Sequence, residues 1–334
     1  MRRAEAGRAW RVVTGWTAAT ALGALLTGCG VIGWGDGDVS GAGTPTPTPT
    51  VTPRTGPAQT RTAVPYATGS PRQTLDLYLP EGDGSTVYPL VVLIHGGGFS
   101  LGSSADERDR ATFLAGQGFA AASLNYRLSG DAQFPAGVQD VAAAIRYLRA
   151  HAPGWGVDPA RIAVWGESAG GYLSAMLGVA GGASGGFDDS ALGNPTVSSQ
   201  VNAVVSWFGP SNFGSMDGQA GDAGCDAAAQ QHDLVDSPES KWLGAALPDV
   251  PERVARANIV RRVRSATALP PFLLVHGDQD CTVPLGQSHE LYEALKDRGA
   301  VVTLNVVKAA GHSDPKITQE QTRPTVDFLR AVFV

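Results

Sequence analysis

Residues 164–176 read VWGESAGGYLSAM. A serine stands between glycines, after an apolar run that begins at Ile162 and before a stretch with helical character. Gly166, Gly170 and Gly171 surround Ser168. The pattern G-x-S-x-G between a strand and a helix describes a nucleophile elbow, a turn so tight that its neighbours must be nearly free of side chains. The pentapeptide alone is equally compatible with an ordinary glycine-rich strand-to-helix turn. The rest of the chain has to decide.

The chain has 334 residues, 43% hydrophobic and 17% charged, with a net charge of −6. That length is enough for one large core or, on size alone, two domains. Mild acidity offers no general attraction for nucleic acid, so no nucleic-acid partner is expected. The N-terminus reads differently from the rest. Arg2, Arg3, Arg8 and Arg11 form a basic leader, and Thr17 to Leu26 is an apolar stretch too short to span a bilayer comfortably. It ends in LTGC, Leu26 to Cys29, and resembles a bacterial lipoprotein signal. The resemblance implies cleavage before Cys29 and lipid attachment to it, hence a membrane-anchored protein outside the cytoplasm. An ordinary secretory signal or an uncleaved anchor are the alternatives.

From Gly43 the sequence runs GTPTPTPTVTPRTGPAQT. Repeated proline removes backbone donors and stiffens the chain toward polyproline II, so no packed core is expected. The expected organisation is a signal peptide over 1–28, a Gly/Thr/Pro-rich linker over 29–62 and one catalytic domain over 63–334.

Within that domain, strand-like and helix-like runs alternate. TLDLYLP (74–80) alternates like a half-exposed strand, whereas PLVVLIHG (89–96) is a continuous apolar run suited to burial on both faces. A helix is predicted over 106–117. Another is predicted over 138–152, where Val138, Val141, Ala142, Ile145 and Leu148 share one face. Further strands are read at 162–165, 200–209, 271–278 and 301–308, with helices after 169 and over 285–299 and 322–334. Strands alternating with crossover helices predict an α/β fold with a mostly parallel sheet covered on both faces. Residues 213–263 are irregular and polar, and read as an insertion that walls the substrate pocket.

Four motifs sit just past strand-like runs: HGGGF (95–99), GESAG (166–170), HGDQDCTVP (276–284) and AGHSDP (310–315). In an open parallel sheet, functional groups gather at such carboxyl ends. On these motifs the chain resembles an α/β-hydrolase of the hormone-sensitive-lipase type of esterase. It is most similar to bacterial feruloyl-esterase-like (BD-FAE-type) carboxylesterases. NYRLSG (125–130), WFGPSNF (207–213), SPESKWLG (237–244) and PPFLLVHGDQD (270–280) extend the likeness over the whole mature domain.

The chemistry demands these residue types. A serine hydroxyl is a poor nucleophile at neutral pH, so an imidazole must take its proton and a carboxylate must orient that imidazole. The order serine, acid, histidine is the α/β-hydrolase order. Ser168 is therefore the expected nucleophile and His312, after the last strand, the expected base. Among the other histidines, His95 and His276 read as structural, His151 and His289 as surface residues, and His232 has no supporting motif. The family pattern H-G-x-x-D-x-x-V-P fits His276, Gly277, Asp280, Val283 and Pro284, so the resemblance implies Asp280 as the acid over Asp278, whose expected role is an Asx-type turn; Asp314 is a remote third. The resemblance implies that the N–H groups of Gly97, Gly98 and Ala169 form the oxyanion hole. In an exported protein Cys225 and Cys281 are expected to be bridged, pinning the insertion against the acid loop. A buried free thiol is the alternative.

No metal or cofactor motif is present, and serine ester hydrolysis needs none. Phe99, Trp207 and Phe208 suit either an aromatic pocket or the core. The expected activity is hydrolysis of short-chain or aromatic acyl esters, with feruloyl, acetyl-xylan and polyester substrates within its range. The alternatives are a serine peptidase on the same fold and a catalytically silent surface binding module. The chain has no room for the propeller that prolyl-oligopeptidase-type enzymes add, and silent relatives usually lose a triad member.

Overall fold

The computed structural model describes residues 50–182, 186–226 and 231–333. The expected signal peptide, Cys29 and most of the expected linker lie outside them.

Eight strands build the main sheet: β1 (Gln59–Pro65), β2 (Thr74–Leu79), β3 (Tyr88–Ile94), β4 (Ala120–Leu124), β5 (Val157–Glu167), β6 (Ala203–Trp207), β7 (Phe272–Gly277) and β8 (Val302–Val307). Their spatial order is β8-β7-β6-β5-β3-β4-β2-β1. The pairs from β4 through β3 to β8 are parallel, and β1–β2 and β2–β4 are antiparallel. This is the order and mix of an α/β-hydrolase sheet.

The helices follow from period-2 burial on the strands. Leu90, Val92 and Ile94 of β3 face one apolar core, and Val91 and Leu93 face the other. The first core is closed by α2 (Ala136–His151), α3 (Ala169–Ala180) and α8 (Gly286–Asp297), which contribute Val141, Ile145, Met176 and Leu295. The second is closed by α1 (Arg108–Gly116) and α9 (Pro315–Phe333) through Leu114, Val326 and Leu329. Each fully buried large apolar side chain contributes about 1.5–3 kcal/mol relative to exposure.

Several boundaries depart from the sequence reading. β1 begins at Gln59, within the expected linker, because an exposed edge strand of Gln, Thr and Arg carries no apolar alternation. β2 is buried along Leu75–Leu79 rather than half-exposed, because it lies inside the sheet between β1 and β4. Its Asp76 is satisfied by the Ser104 hydroxyl and the Ala63 N–H. α9 starts at Pro315, earlier than expected, and runs through Pro324. The 213–263 segment is more ordered than its composition suggests. It holds α4 (Met216–Asp222), α5 (Pro238–Leu243), α6 (Pro251–Ala257) and α7 (Ile259–Val263), which bury Met216, Trp242, Leu243, Ile259 and Val263 in the first core.

Candidate active site

The parallel register aligns the carboxyl ends of the central strands. Ile94 of β3 pairs with Gly166 of β5, Glu167 with Trp207 of β6, and Gly277 of β7 with Val307 of β8. The four motifs therefore emerge along one edge.

Between β5 and α3 stands Ser168, with φ 52° and ψ −120°. A side chain in that region is strained, and the surroundings must hold it there. The glycines make the turn feasible. A Cβ on Gly166 would lie 2.1 Å from the Gly170 carbonyl oxygen, and one on Gly170 would lie 1.9 Å from that of Ile94. The Ser168 N–H donates to the Trp207 carbonyl at 2.9 Å, fixing the elbow to the end of β6.

His312 lies in the loop between β8 and α9. Its Nε2 is 2.9 Å from Ser168 Oγ, and its Nδ1 is 2.7 Å from Asp280 Oδ2. Asp280 is buried, and its Oδ1 accepts the N–H groups of Thr282 and Val283, each at 2.9 Å. Burial alone would raise its pKa. Hydrogen bonds from His276 and His312 outweigh that and hold the carboxyl below its ordinary range. An ionised Asp280 assigns the proton to Nδ1 of His312 and leaves Nε2 bare toward the serine hydroxyl. Such an arrangement can accept the hydroxyl proton and stabilise the imidazolium that results.

Gly97, Gly98 and Ala169 line the same cavity as Ser168 and His312, a space of about 560 Å³. Gly97 adopts φ 106°, and its carbonyl accepts the N–H groups of Ser100 and Leu101 at 3.0 Å. A Cβ there would lie 2.4 Å from the Leu101 carbonyl oxygen. Ala169 is the first residue of α3, so its N–H has no partner within the helix. His95 holds the loop from behind. Its ring contacts the Gly96 carbonyl at 2.7 Å and stacks on Tyr126 at 4.5 Å, and burial pushes its pKa down to about 4.

The remaining candidates fall into place around this core. His276 is fully buried between Ser288, Val283 and Asp280, while His151 and His289 are exposed. Asp278 departs from the expected Asx-type turn. Its carboxylate accepts the Ala309 N–H at 2.6 Å and pairs with Lys308, bracing the loop that carries His312. Asp314 accepts the Lys316 N–H at the start of α9. Phe99 and Phe208 line the cavity, the latter with its ring 4.9 Å from that of His312. Trp207 is core, donating to Thr325. Cys225 and Cys281 are disulfide-bonded, which ties the insertion to the residue after Asp280.

Three features escaped the sequence reading. His232 is buried in the cavity wall, with Nδ1 2.7 Å from Asp217 Oδ1 and Nε2 3.0 Å from the Thr282 carbonyl. Glu239, at the start of α5, is buried beside it in the same wall. Behind the elbow, Arg110 pairs with both Glu107 and Glu167, and its guanidinium lies over the rings of Trp165 and Trp207. Burial raises the Glu107 pKa to about 7 despite that pairing.

The BD-FAE family model matches residues 75–295, a span that includes Ser168 and Asp280 and stops before His312. Esterase LipC of Mycobacterium tuberculosis is 29% identical over 263 residues, covering 78% of this chain and 61% of its own length. Carboxylesterase NlhH of the same species is 44% identical over 91 residues, 27% of this chain and 28% of its own. The chain thus spans about three-fifths or less of the curated relatives it matches. A solved truncated carbohydrate esterase from gut microbiota is 31% identical with a TM-score of 0.72, covering 82% of this chain and 96% of that one. A bifunctional GH43-CE protein of Bacteroides eggerthii is 30% identical with a TM-score of 0.70, covering 82% of this chain and 38% of that one.

Proposed function

Because the chain belongs to the BD-FAE family of α/β-hydrolase esterases, we propose that it is a serine carboxylesterase acting through an acyl-enzyme. The observation that carries this reading is the unbroken run of contacts from Asp280 through His312 to Ser168 at the floor of a cavity. Ser168 Oγ attacks the ester carbonyl while His312 Nε2 takes its proton. The negative oxygen that develops is received by the N–H groups of Gly97, Gly98 and Ala169. The C–O bond to the alcohol breaks, the alcohol leaves with the proton held on His312, and the acyl group stays on Ser168. Water then attacks the acyl-enzyme with His312 again as base, releasing the acid and free serine.

The substrates proposed are short-chain or aromatic acyl esters, including those on sugars or polymers. A cavity of about 560 Å³ that Phe99 and Phe208 help to line suits such groups. The name of one structural neighbour, a carbohydrate esterase, points the same way. The test is hydrolysis of p-nitrophenyl acetate, butyrate and octanoate and of a feruloyl ester, with S168A alongside. Turnover that vanishes in S168A is the expected result. Turnover no higher than that of S168A from folded protein contradicts the reading.

The reading extends to location: Cys29 is the lipid attachment point and residues after it tether the domain to the outer face of the cytoplasmic membrane. LTGC behind a basic leader and apolar core supports this. Among the described residues no helix is long and apolar enough to cross a membrane. Cys29→Ala is expected to release the protein from the membrane fraction; unchanged retention contradicts it.

A further inference from the structure

The Glu239 carboxyl in the cavity wall has no part in the mechanism above. Glu239 is the second residue of α5, and the start of that helix packs on the glycine loop, where a Cβ on Gly98 would lie 3.2 Å from Pro238 Cβ. Glu239 is only 5% exposed, yet it lines the cavity shared with Ser168. Its Oε2 has no hydrogen-bond partner among the described residues, and no lysine or arginine pairs with it there. The His232 ring in the same wall is already engaged by Asp217 and the Thr282 carbonyl. The Glu239 backbone N–H bonds the carboxyl, but leaving one of its oxygens buried without a partner is still a costly placement. Glu239 lines a cavity built around a nucleophile with that oxygen shielded from solvent, so a small turn of the side chain would bring it to a partner arriving with the substrate.

We infer that Glu239 is a specificity-determining residue whose free carboxyl oxygen hydrogen-bonds a hydroxyl carried by the ester substrate. The inference rests on the esterase reading and deepens it. Burial raises the Glu239 pKa, with the His232 ring pulling the other way. A carboxyl held toward its neutral form both donates and accepts, as a hydroxyl does. That hydroxyl has two chemical sources. It stands on the alcohol side when a sugar is the leaving group, and on the acyl side when the acid is phenolic. An ester lacking it leaves the buried oxygen unpaired in the complex, which is the condition under which enzymes discriminate best.

Two matched substrate pairs separate the sources: an acetylated xyloside with a free neighbouring hydroxyl against its deoxy counterpart, and methyl p-coumarate against methyl cinnamate. Wild type, E239M and E239Q are compared by kcat/KM, with circular dichroism to confirm folding. In wild type, one pair is expected to show a preference of about 10- to 100-fold for the hydroxyl-bearing ester. The pair that shows it identifies the source. E239M is expected to bring that ratio close to one, and E239Q to lower it several-fold. A merely structural role would depress both members of a pair together and leave the ratio in place. Wild-type ratios near one for both pairs overturn the inference, as does a ratio unchanged in whichever variants fold. p-Nitrophenyl acetate distinguishes the deeper failure: turnover equal to that of S168A removes the esterase reading and the inference with it.

Discussion

His312 Nε2 lies 2.9 Å from Ser168 Oγ, although 144 residues of chain separate them. The contact exists because β5 ends in a strained turn and β8 ends three strand positions away in the same register edge. The sheet order thereby places an imidazole beside a serine hydroxyl before any substrate arrives.

Removing single members of this chain of contacts should affect turnover far more than folding. Ser168→Ala is expected to lose all measurable ester hydrolysis. Asp280→Asn is expected to lower kcat by about 10⁴-fold, because an amide cannot enforce the required tautomer. Steady-state kinetics on p-nitrophenyl acetate checks both, and an Asp280→Asn variant within a few-fold of wild type would refute the assigned role.

A methyl group at Gly170 should damage the fold itself. Its Cβ would lie 1.9 Å from the Ile94 carbonyl oxygen, a backbone atom of β3 that cannot step aside. Gly170→Ala is expected to lose about 1–3 kcal/mol or more by overpacking. Chemical denaturation measures it, and unchanged stability would show that the elbow relaxes freely.

His95 gives stability a defined pH dependence. Burial depresses its folded pKa to about 4 from an ordinary 6.5. The folded state therefore binds fewer protons than the unfolded state between those values. Its contribution is fully present above about pH 6.5 and is lost as pH falls toward 4, at most about 3 kcal/mol in all. The difference in stability between wild type and His95→Asn is expected to narrow over that window. A difference constant with pH would show that His95 does not titrate in this way.

The Cys225–Cys281 bond closes a loop of 56 residues. Chain-entropy reasoning gives about 4 kcal/mol for such a loop, less any strain. Reduction is expected to lower the unfolding midpoint, with activity falling first because Cys281 follows Asp280. Equal denaturation curves with and without reductant would remove the cross-link from the account of stability.

Much of this architecture is legible in the sequence, for identifiable reasons. β3, β7 and the Ile162–Trp165 part of β5 are buried on both faces and so appear as apolar runs, and each is followed by a motif whose glycines the turn requires. The insertion is harder to read. Its helices are short, α5 and α6 begin at Pro238 and Pro251, and too few turns follow for periodicity to show that Trp242 or Ile259 is core. His232 is more opaque still. Its partners are 15 and 50 residues away, so nothing local distinguishes it from a surface histidine. Glu239 is invisible for the same reason, since a carboxyl near a helix start ordinarily reads as a dipole-friendly surface residue. Asp278 misled because an Asx-type turn and a bond to Ala309 begin from the same local sequence.

The central claim is that Ser168 is an activated nucleophile, and covalent trapping tests it most directly. The purified chain would be treated with a fluorophosphonate and the adduct located by peptide mass spectrometry. One adduct on Ser168 is expected, absent from Ser168→Ala and formed far more slowly in His312→Asn. Folded protein that takes up no label, or takes it up on another residue, would contradict the account.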